Sequence, residues 1–549
     1  MKILLVAVNA KYIHCNLALY SLRAAAGRSC RDYIEIAEYT INQQMDEILR
    51  DLYKKQPDLV AFSCYIWNRR MIGELLKEIP KVLPDVILWA GGPEASYDAE
   101  TLLETYPYLS GIMRGEGEGT FARLADYYIE GTGQLSRIRG ITFRDAKKQM
   151  QKTEDPEMVD LDQLSFAYED LEAFSHKILY YESSRGCPYR CSYCLSSIEK
   201  RVRFRSLSLV KQDLQRFLKA RVPQVKFVDR TFNADVERAE ELWEWILEHD
   251  NGVTNFHFEV GADRVTEKAF QIMRRMRPGL IQLEIGVQSV NPDTIRRIHR
   301  TMDLEKLKEN VKQIRQFQNI HQHLDLIAGL PGEDLASFRQ SFNEVFALKP
   351  DQLQLGFLKV LKGSRMYQEA AAYGIVFHGE PPYEVLRTNW LSYGELLLLK
   401  GVEAMMELYY NSHQFDQTLK MVLKRYESPF DFFHELAVYY EDRGYDRVSH
   451  SRMARYDILR EFLQEKGYPD AETDPCMVYD LYAREPLKSR PSFAVDLRPY
   501  RKRLKEYETR YGKQVHIEVF ERNTGPVYVL FDYKKRNVLT KEAYVEVLD

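Results

Sequence analysis

The segment Gly186-Cys187-Pro188-Tyr189-Arg190-Cys191-Ser192-Tyr193-Cys194 puts three thiols within eight residues of a chain that has only seven cysteines. The other four, Cys15, Cys30, Cys64 and Cys476, are scattered. Thiolates are soft metal ligands, and the spacing Cys-x3-Cys-x2-Cys narrows the choice of metal. Structural zinc takes four ligands, commonly as two pairs. This segment has no second pair and no histidine. An electron-carrying 4Fe–4S cluster takes four cysteines. Three thiolates leave one iron without a protein ligand, and an open iron can bind a substrate or cofactor directly. Buried structural cysteines sit among apolar residues. Here the neighbours are Gly186, Pro188, Tyr189, Arg190, Ser192 and Tyr193, the composition of a loop.

Elements that could position such a loop follow from the hydrophobic pattern. The length of 549 residues predicts three or four domains. Over residues 1–150, apolar strands (2–8, 33–40, 58–65, 85–92 and 111–115) alternate with amphipathic helices. That order predicts a doubly wound parallel sheet. Residues 140–155 read as a hairpin, and 151–174 as a polar linker. A second alternating series begins at 178–184 and continues with strands at 225–229, 256–260, 281–287, 323–329 and 353–358. Six βα units over 175–365 predict a partial (β/α)6 barrel, and the cysteine segment follows its first strand. Ligand sites in parallel α/β folds form at the carboxyl ends of strands, so the segment stands where chemistry is done. Residues 366–549 read as a mostly α-helical domain ending in a β-hairpin that turns at Asn523-Thr524-Gly525.

Charge is nearly balanced, with 77 Lys+Arg against 81 Asp+Glu. This gives no general reason for a nucleic-acid or membrane partner. No apolar run approaches the roughly 18 residues needed to cross a bilayer. The opening MKILLVAVNA reads as a buried strand rather than a secretory leader. An odd cysteine count in a chain of this size suits a reducing, cytoplasmic setting.

GCPYRCSYC resembles the signature of the radical S-adenosylmethionine (radical SAM) enzymes, and the resemblance covers about residues 175–365. It implies a 4Fe–4S cluster held by Cys187, Cys191 and Cys194. The fourth iron would take the amino and carboxylate groups of S-adenosylmethionine, whose reductive cleavage yields a 5′-deoxyadenosyl radical. EIGVQS and LIAGLPGE resemble the family's fourth- and fifth-strand motifs. By this resemblance Tyr193, Asp229, Glu259, Arg264, Glu284, Gln288, Ser289, Asp325 and Gly329 are the expected S-adenosylmethionine contacts. An external flavodoxin- or ferredoxin-like electron donor is implied as well.

Two glycine-rich turns follow strands of the first domain, Gly91-Gly92-Pro93-Glu94 and Gly115-Glu116-Gly117-Glu118-Gly119. Ahead of a radical SAM barrel they are similar to the turns of the cobalamin-binding, Rossmann-like domain of the cobalamin-dependent subfamily. The implied cobalamin contacts are Asn9, His14, Ser63, Gly91, Gly92, Pro93, Glu94, Gly115 and Glu116. The loop NAKYIHCNLA departs from the Asp-x-His-x-x-Gly pattern of many cobalamin domains, so no imidazole–cobalt bond is expected from His14. The resemblance implies methyl transfer to an unactivated carbon, or a cobalamin-assisted cyclisation or rearrangement, of an unknown small-molecule or peptide substrate. Two other readings compete. Cys15, Cys30 and Cys64 could hold a second cluster, as in radical SAM methylthiotransferases, or the chain could be a non-catalytic cobalamin or redox sensor. Residues 488–513 carry nine Lys/Arg against Asp496, Glu506 and Glu508. They read as a solvated, salt-bridged helix face rather than a nucleic-acid site.

Overall fold

A computed structural model describes residues 1–199, 201–512, 515–522 and 524–548. Lys513 of the basic stretch and Asn523 of the expected hairpin turn lie outside the described residues. The chain divides into two compact units. The first comprises Met1–Gly286, Ile295–Asn310 and Phe357–Asn389, and the second Val287–Thr294, Val311–Gly356 and Trp390–Asp549.

In the first unit, the opening strand Ile3–Asn9 has all seven residues buried. Successive side chains of a strand point to opposite faces, and each face has its own core here. Leu4, Val6 and Val8 pack with Phe62 and Leu75, whereas Ile3, Leu5 and Ala7 pack with Trp89 and Phe121. A strand covered on both faces needs a continuous apolar run, which this segment supplies. Strands Ile34–Thr40, Leu59–Ser63, Ile87–Gly91 and Leu109–Met113 complete the expected parallel set. The hairpin Ile141–Arg144/Met150–Lys152 extends the sheet antiparallel at one edge. The strand order reverses beside Ile3–Asn9, which lies between Ile34–Thr40 and Leu59–Ser63. Such switch points open a crevice beyond the carboxyl ends of the strands.

The same unit holds the first four strands of the second series, Leu179–Tyr181, Gln224–Phe227, Asn255–Glu259 and the start of Ile281–Gln288. They pair in parallel and in chain order: Leu179 lies opposite Val225, and Phe256 opposite Ile281. Helices Leu207–Lys219, Val236–Glu248 and Glu267–Arg274 connect them. The segment 178–184, expected as one strand, is interrupted. Pairing stops at Tyr181, and Ser184–Arg185 instead pairs antiparallel with Arg203–Phe204, framing the cysteine loop.

The second unit carries the fifth and sixth strands, His321–Ala328 and most of Gln352–Phe357, with helix Leu335–Phe346 between them. Five helices follow: Tyr393–Tyr409, Asp416–Val422, Pro429–Asp442, Arg452–Glu465 and Asp470–Arg484. Helix Tyr393–Tyr409 opens on a capping box, Ser392 with Glu395. This satisfies two backbone N–H groups that a helix start leaves over. The tail is not a hairpin alone. A third strand, Ala543–Leu548, pairs with Gly525–Arg536, which also pairs with Val515–Arg522. Phe531 faces a core with Val478 and Tyr482, and Leu530 faces another with Leu504 and Tyr507. A sheet with two apolar faces needs cover on both, supplied by Asp470–Arg484 and Arg501–Tyr511. Cations of the basic stretch are paired locally: Arg490 with Glu518, Arg498 with Asp496, and Arg503 with Glu506. Among the described residues no helix is long and apolar enough to cross a membrane.

Two substitutions test this packing. Gly92 has φ +95°, and a Cβ there would stand 2.6 Å from the Cys64 carbonyl oxygen. Gly92→Ala is expected to cost about 1–3 kcal/mol, read as a lower unfolding midpoint. Phe531 is fully buried. Phe531→Ala is expected to cost about 3–5 kcal/mol and to speed hydrogen exchange in the tail sheet while sparing Ile3–Asn9.

Candidate functional site

The cysteine loop is held by backbone at both ends and in the middle. Gly186 takes φ +92°, and a Cβ there would collide with the Arg201 carbonyl, so the turn into the loop requires glycine. Before it, the buried Asp229 carboxylate accepts the Ser183 and Ser184 backbone N–H groups at 2.7 and 3.0 Å and the Ser183 hydroxyl at 2.5 Å. These bonds turn the chain out of the first barrel strand. In mid-loop, the Ser192 N–H donates to the Ile298 carbonyl at 2.9 Å, and the Ser192 carbonyl accepts from the Met366 N–H at 2.7 Å.

All three thiols of the loop are free; Cys191 is buried, while Cys187 and Cys194 are half-buried. Burial raises the Cys187 pKa, against the Thr231 hydroxyl 3.6 Å from its sulfur. Cys191 accepts from the Arg300 guanidinium at 3.6 Å. A single tetrahedral ion with about 2.3 Å metal–sulfur bonds would draw its ligands within ~4 Å of one another. Among the described residues, the only three ligating side chains whose donor atoms all lie within 4.8 Å are Cys30, Asp126 and Glu130.

Of the residues expected to contact S-adenosylmethionine, five lie in the first unit. Tyr193 is packed among Cys191, Cys194 and Arg300, and burial pushes its hydroxyl pKa well up. Asp229 holds the loop entry, as described. Arg264 donates to the Asn233 and Ala234 carbonyls at 3.2 and 2.9 Å. Glu259 ends the third barrel strand in the field of Arg230. Glu284 accepts from Lys226 Nζ and His257 Nε2, each at 2.9 Å. Burial alone would raise its pKa, but these two partners hold it well below the usual carboxylate range. The other four, Gln288, Ser289, Asp325 and Gly329, belong to the second unit. There Gln288 takes φ +73°, and the Ser289 hydroxyl donates to Glu333 at 2.7 Å. Asp325 lies 3.1 Å from His323 Nε2, and Gly329 begins the turn after His321–Ala328.

The expected cobalamin contacts lie at the carboxyl ends of the first-domain strands. Asn9 Nδ2 donates to the His14 carbonyl and to Glu38 at 3.1 and 2.9 Å, shaping the loop after the first strand. His14 Nδ1 is 2.7 Å from the Tyr180 hydroxyl, and burial together with Lys11 and Lys226 lowers its pKa. Ser63 is buried and bonds Asn16. Gly91 and Gly92 turn beneath Cys64, and Pro93 starts a short helix. Glu94 is buried, accepts the Tyr383 hydroxyl at 2.8 Å, and has its pKa raised by that burial. The Gly115 N–H donates to Ser96. Glu116 is held by Arg203, by Arg185 at 3.3 Å, and by the Val159 N–H at 2.8 Å. Arg185, one residue before Gly186, also binds Glu118 and, at 2.9 Å, Glu182. The second glycine turn is thereby tied by charge to the cysteine loop.

Several neighbours escaped the sequence reading. Lys226, His257 and Gln282 join Glu284 in one polar layer across three adjacent strands, and Gln282 Nε2 is 2.7 Å from His257 Nδ1. Their signal was present as polar residues at alternate positions of VKF, FHF and IQLE. The Arg230 carbonyl accepts the Thr231 hydroxyl at 2.6 Å, while the charge of its guanidinium meets those of Glu259, Cys194 and Glu182. Tyr65 and Trp67 stack at 4.5 Å beyond Leu59–Ser63.

Comparison with known proteins matches three stretches of the chain. Residues 3–125 match the B12 binding domain, 181–345 the radical SAM superfamily, and 371–524 a protein family of unknown function, DUF4080. An uncharacterized methyltransferase of Pyrococcus horikoshii is 22% identical over 388 residues, 68% of this chain and 79% of that protein. The cobalamin-dependent radical SAM methyltransferase TokK of Streptomyces tokunonensis is 25% identical over 318 residues, 53% of this chain but only 45% of TokK. The radical SAM methyltransferase TsrM of Kitasatospora setae, solved with cobalamin and a [4Fe-4S] cluster, shares the fold with a TM-score of 0.58 at 17% identity, over 70% of this chain and 79% of that one. The three thiols thus stand on a loop beyond the first strand of a parallel α/β array, within a radical SAM domain spanning residues 181–345 and behind a B12 binding domain spanning residues 3–125.

Proposed function

We propose that this protein is a cobalamin-dependent radical SAM enzyme that methylates an unactivated carbon of its substrate. The observation that carries this reading is the cysteine trio: three free thiols on one loop beyond the carboxyl end of the first barrel strand, within the radical SAM match and behind the B12 binding match. Cys187, Cys191 and Cys194 would each hold one iron of a 4Fe–4S cluster, with the fourth iron open. When bound, the cluster, S-adenosylmethionine and cobalamin supply one-electron cleavage of the sulfonium and methyl transfer.

The chain's own part is orientation and charge. Asp229 and Gly186 set the direction of the loop. The layer Lys226–His257–Glu284 offers fixed donors and acceptors inside the strands. Gly91 and Gly92 let this turn pack closely on Met113 and the Cys64 backbone at the carboxyl end of its strand, and His14, already bonded to Tyr180, is not needed as a cobalt ligand. Glu182, beside Arg185, can hold a proton near neutrality. Burial lifts its pKa to about 7, with Arg185 pulling it down and Glu118 pushing it up.

The methylthiotransferase reading finds less support. Cys30 packs with Ile3, Ile34 and Leu59 at the amino ends of the strands. Cys15 and Cys64 follow the carboxyl ends, a strand length of ~20 Å away.

Anaerobic reconstitution tests the proposal. The chain is expected to bind about four irons and one cobalamin, and with reductant to convert S-adenosylmethionine to 5′-deoxyadenosine; a set of Cys187→Ala, Cys191→Ala and Cys194→Ala variants is expected to lose both the iron and the product. An intact cluster that never cleaves S-adenosylmethionine would overturn it. Glu182 gives a pH test. Its folded pKa lies above the ~4.3 of an unfolded Glu, so its contribution to stability is present below that value and is lost as pH rises towards 7. Relative to wild type, Glu182→Gln is expected to gain stability across that window, read from unfolding midpoints at each pH.

A further inference from the structure

Arg300 stands apart from the residues that the radical SAM resemblance singles out. It follows helix Pro292–Arg297, and the segment carrying it is anchored to the cysteine loop by the bond from Ser192 N–H to the Ile298 carbonyl at 2.9 Å. Its guanidinium is divided among three partners. One terminal nitrogen donates to Cys191 Sγ at 3.6 Å, and the other donates to the Gly286 carbonyl at 2.5 Å. The plane lies over the Tyr189 ring, 5.4 Å from its centroid. Its Nε is buried and has no hydrogen-bond partner. No carboxylate is bonded to Arg300 among the described residues, so no paired anion offsets its charge beside Cys191. Cys191 is 5% exposed, the most buried of the three thiols.

A guanidinium cannot lose its proton in a protein, and its N–H groups lie in a fixed fork. Placed on a cluster thiolate, such a group withdraws electron density from the iron–sulfur bond. Hydrogen bonds to the sulfurs and net local charge set the reduction potential of a cluster. Taking up one electron adds a negative charge to the cluster, and a nearby cation stabilises that reduced form. The sign is therefore fixed: the contact raises the potential and eases electron uptake from an external low-potential donor.

We propose that Arg300 tunes the cluster's reduction potential through its hydrogen bond and charge on the Cys191 sulfur, making the cluster easier to reduce. This rests on the cluster assignment above. The step concerns one electron alone, passing from the donor to the cluster, with no bond made or broken at Arg300. The contact singles out one of three thiolates, so the effect is centred on the iron that Cys191 would hold.

The test is an anaerobic redox titration of the reconstituted full-length chain, followed by electron paramagnetic resonance. Wild type is compared with Arg300→Met, which removes charge and donor, and with Arg300→Lys, which keeps the charge but not the fork. Iron content is counted in each. With about four irons bound, the midpoint potential of Arg300→Met is expected to fall below wild type, and that of Arg300→Lys to lie between them. Should Arg300→Met fail to assemble a cluster, Arg300→Lys alone decides, and a midpoint below wild type is still expected. An unchanged or higher midpoint in an iron-replete variant overturns the proposal and leaves the cluster assignment standing. Absence of iron in wild type overturns the cluster assignment first, and this inference with it.

Discussion

Three thiols must be held at fixed positions relative to one another on a loop that makes little regular structure of its own. That constraint organises the first unit. A loop cannot hold such spacing by local preference, because each residue has several accessible backbone wells. The spacing is set from outside, by Asp229 on two successive N–H groups, by the Arg201 carbonyl against Gly186, and by backbone bonds from Ser192 to residues 298 and 366. Each anchor comes from a different part of the chain, so the loop forms only when those segments are already in place.

Charge follows the same logic. Arg185 is surrounded by Glu116, Glu118 and Glu182. A buried cation among three carboxylates costs desolvation, and removing Arg185 would leave those carboxylates without their shared counter-charge. Such a cluster is weak evidence for added stability and better evidence for register. Here it joins the glycine turn after Leu109–Met113 to the entry of the cysteine loop. Glu116 therefore acts on the loop as well as lying where a cofactor edge is expected. In the strands, the layer Lys226–His257–Glu284 works by the same principle, with one carboxylate satisfied by two donors from neighbouring strands.

The second unit is built on packing rather than charge. Helices Tyr393–Tyr409 and Pro429–Asp442 bury aromatic side chains, and the Tyr409 and Tyr440 hydroxyls meet at 2.6 Å. Asp480, buried in helix Asp470–Arg484, caps the backbone of Gln417 and Thr418. On the second face of the tail sheet, Leu548 of the third strand joins Ile517, Val519 and Leu530 of the first two.

The amino-acid sequence by itself determined the alternation of strands and helices, the thiol spacing, and the glycines at strand ends. These are local patterns: burial on two faces demands apolar runs, and tight turns demand residues without a Cβ. It did not disclose that Asp229 and Arg264 serve backbone groups, that Asn9 shapes its own loop, or that Arg300 reaches Cys191. Nor did it separate a two-stranded tail from a three-stranded one, since AYVEVL is short and only weakly alternating. Those outcomes were decided by the tertiary structure. A hydrogen bond between residues 46 or 109 positions apart depends on strand register and crossover, and these arise only when distant segments pack together.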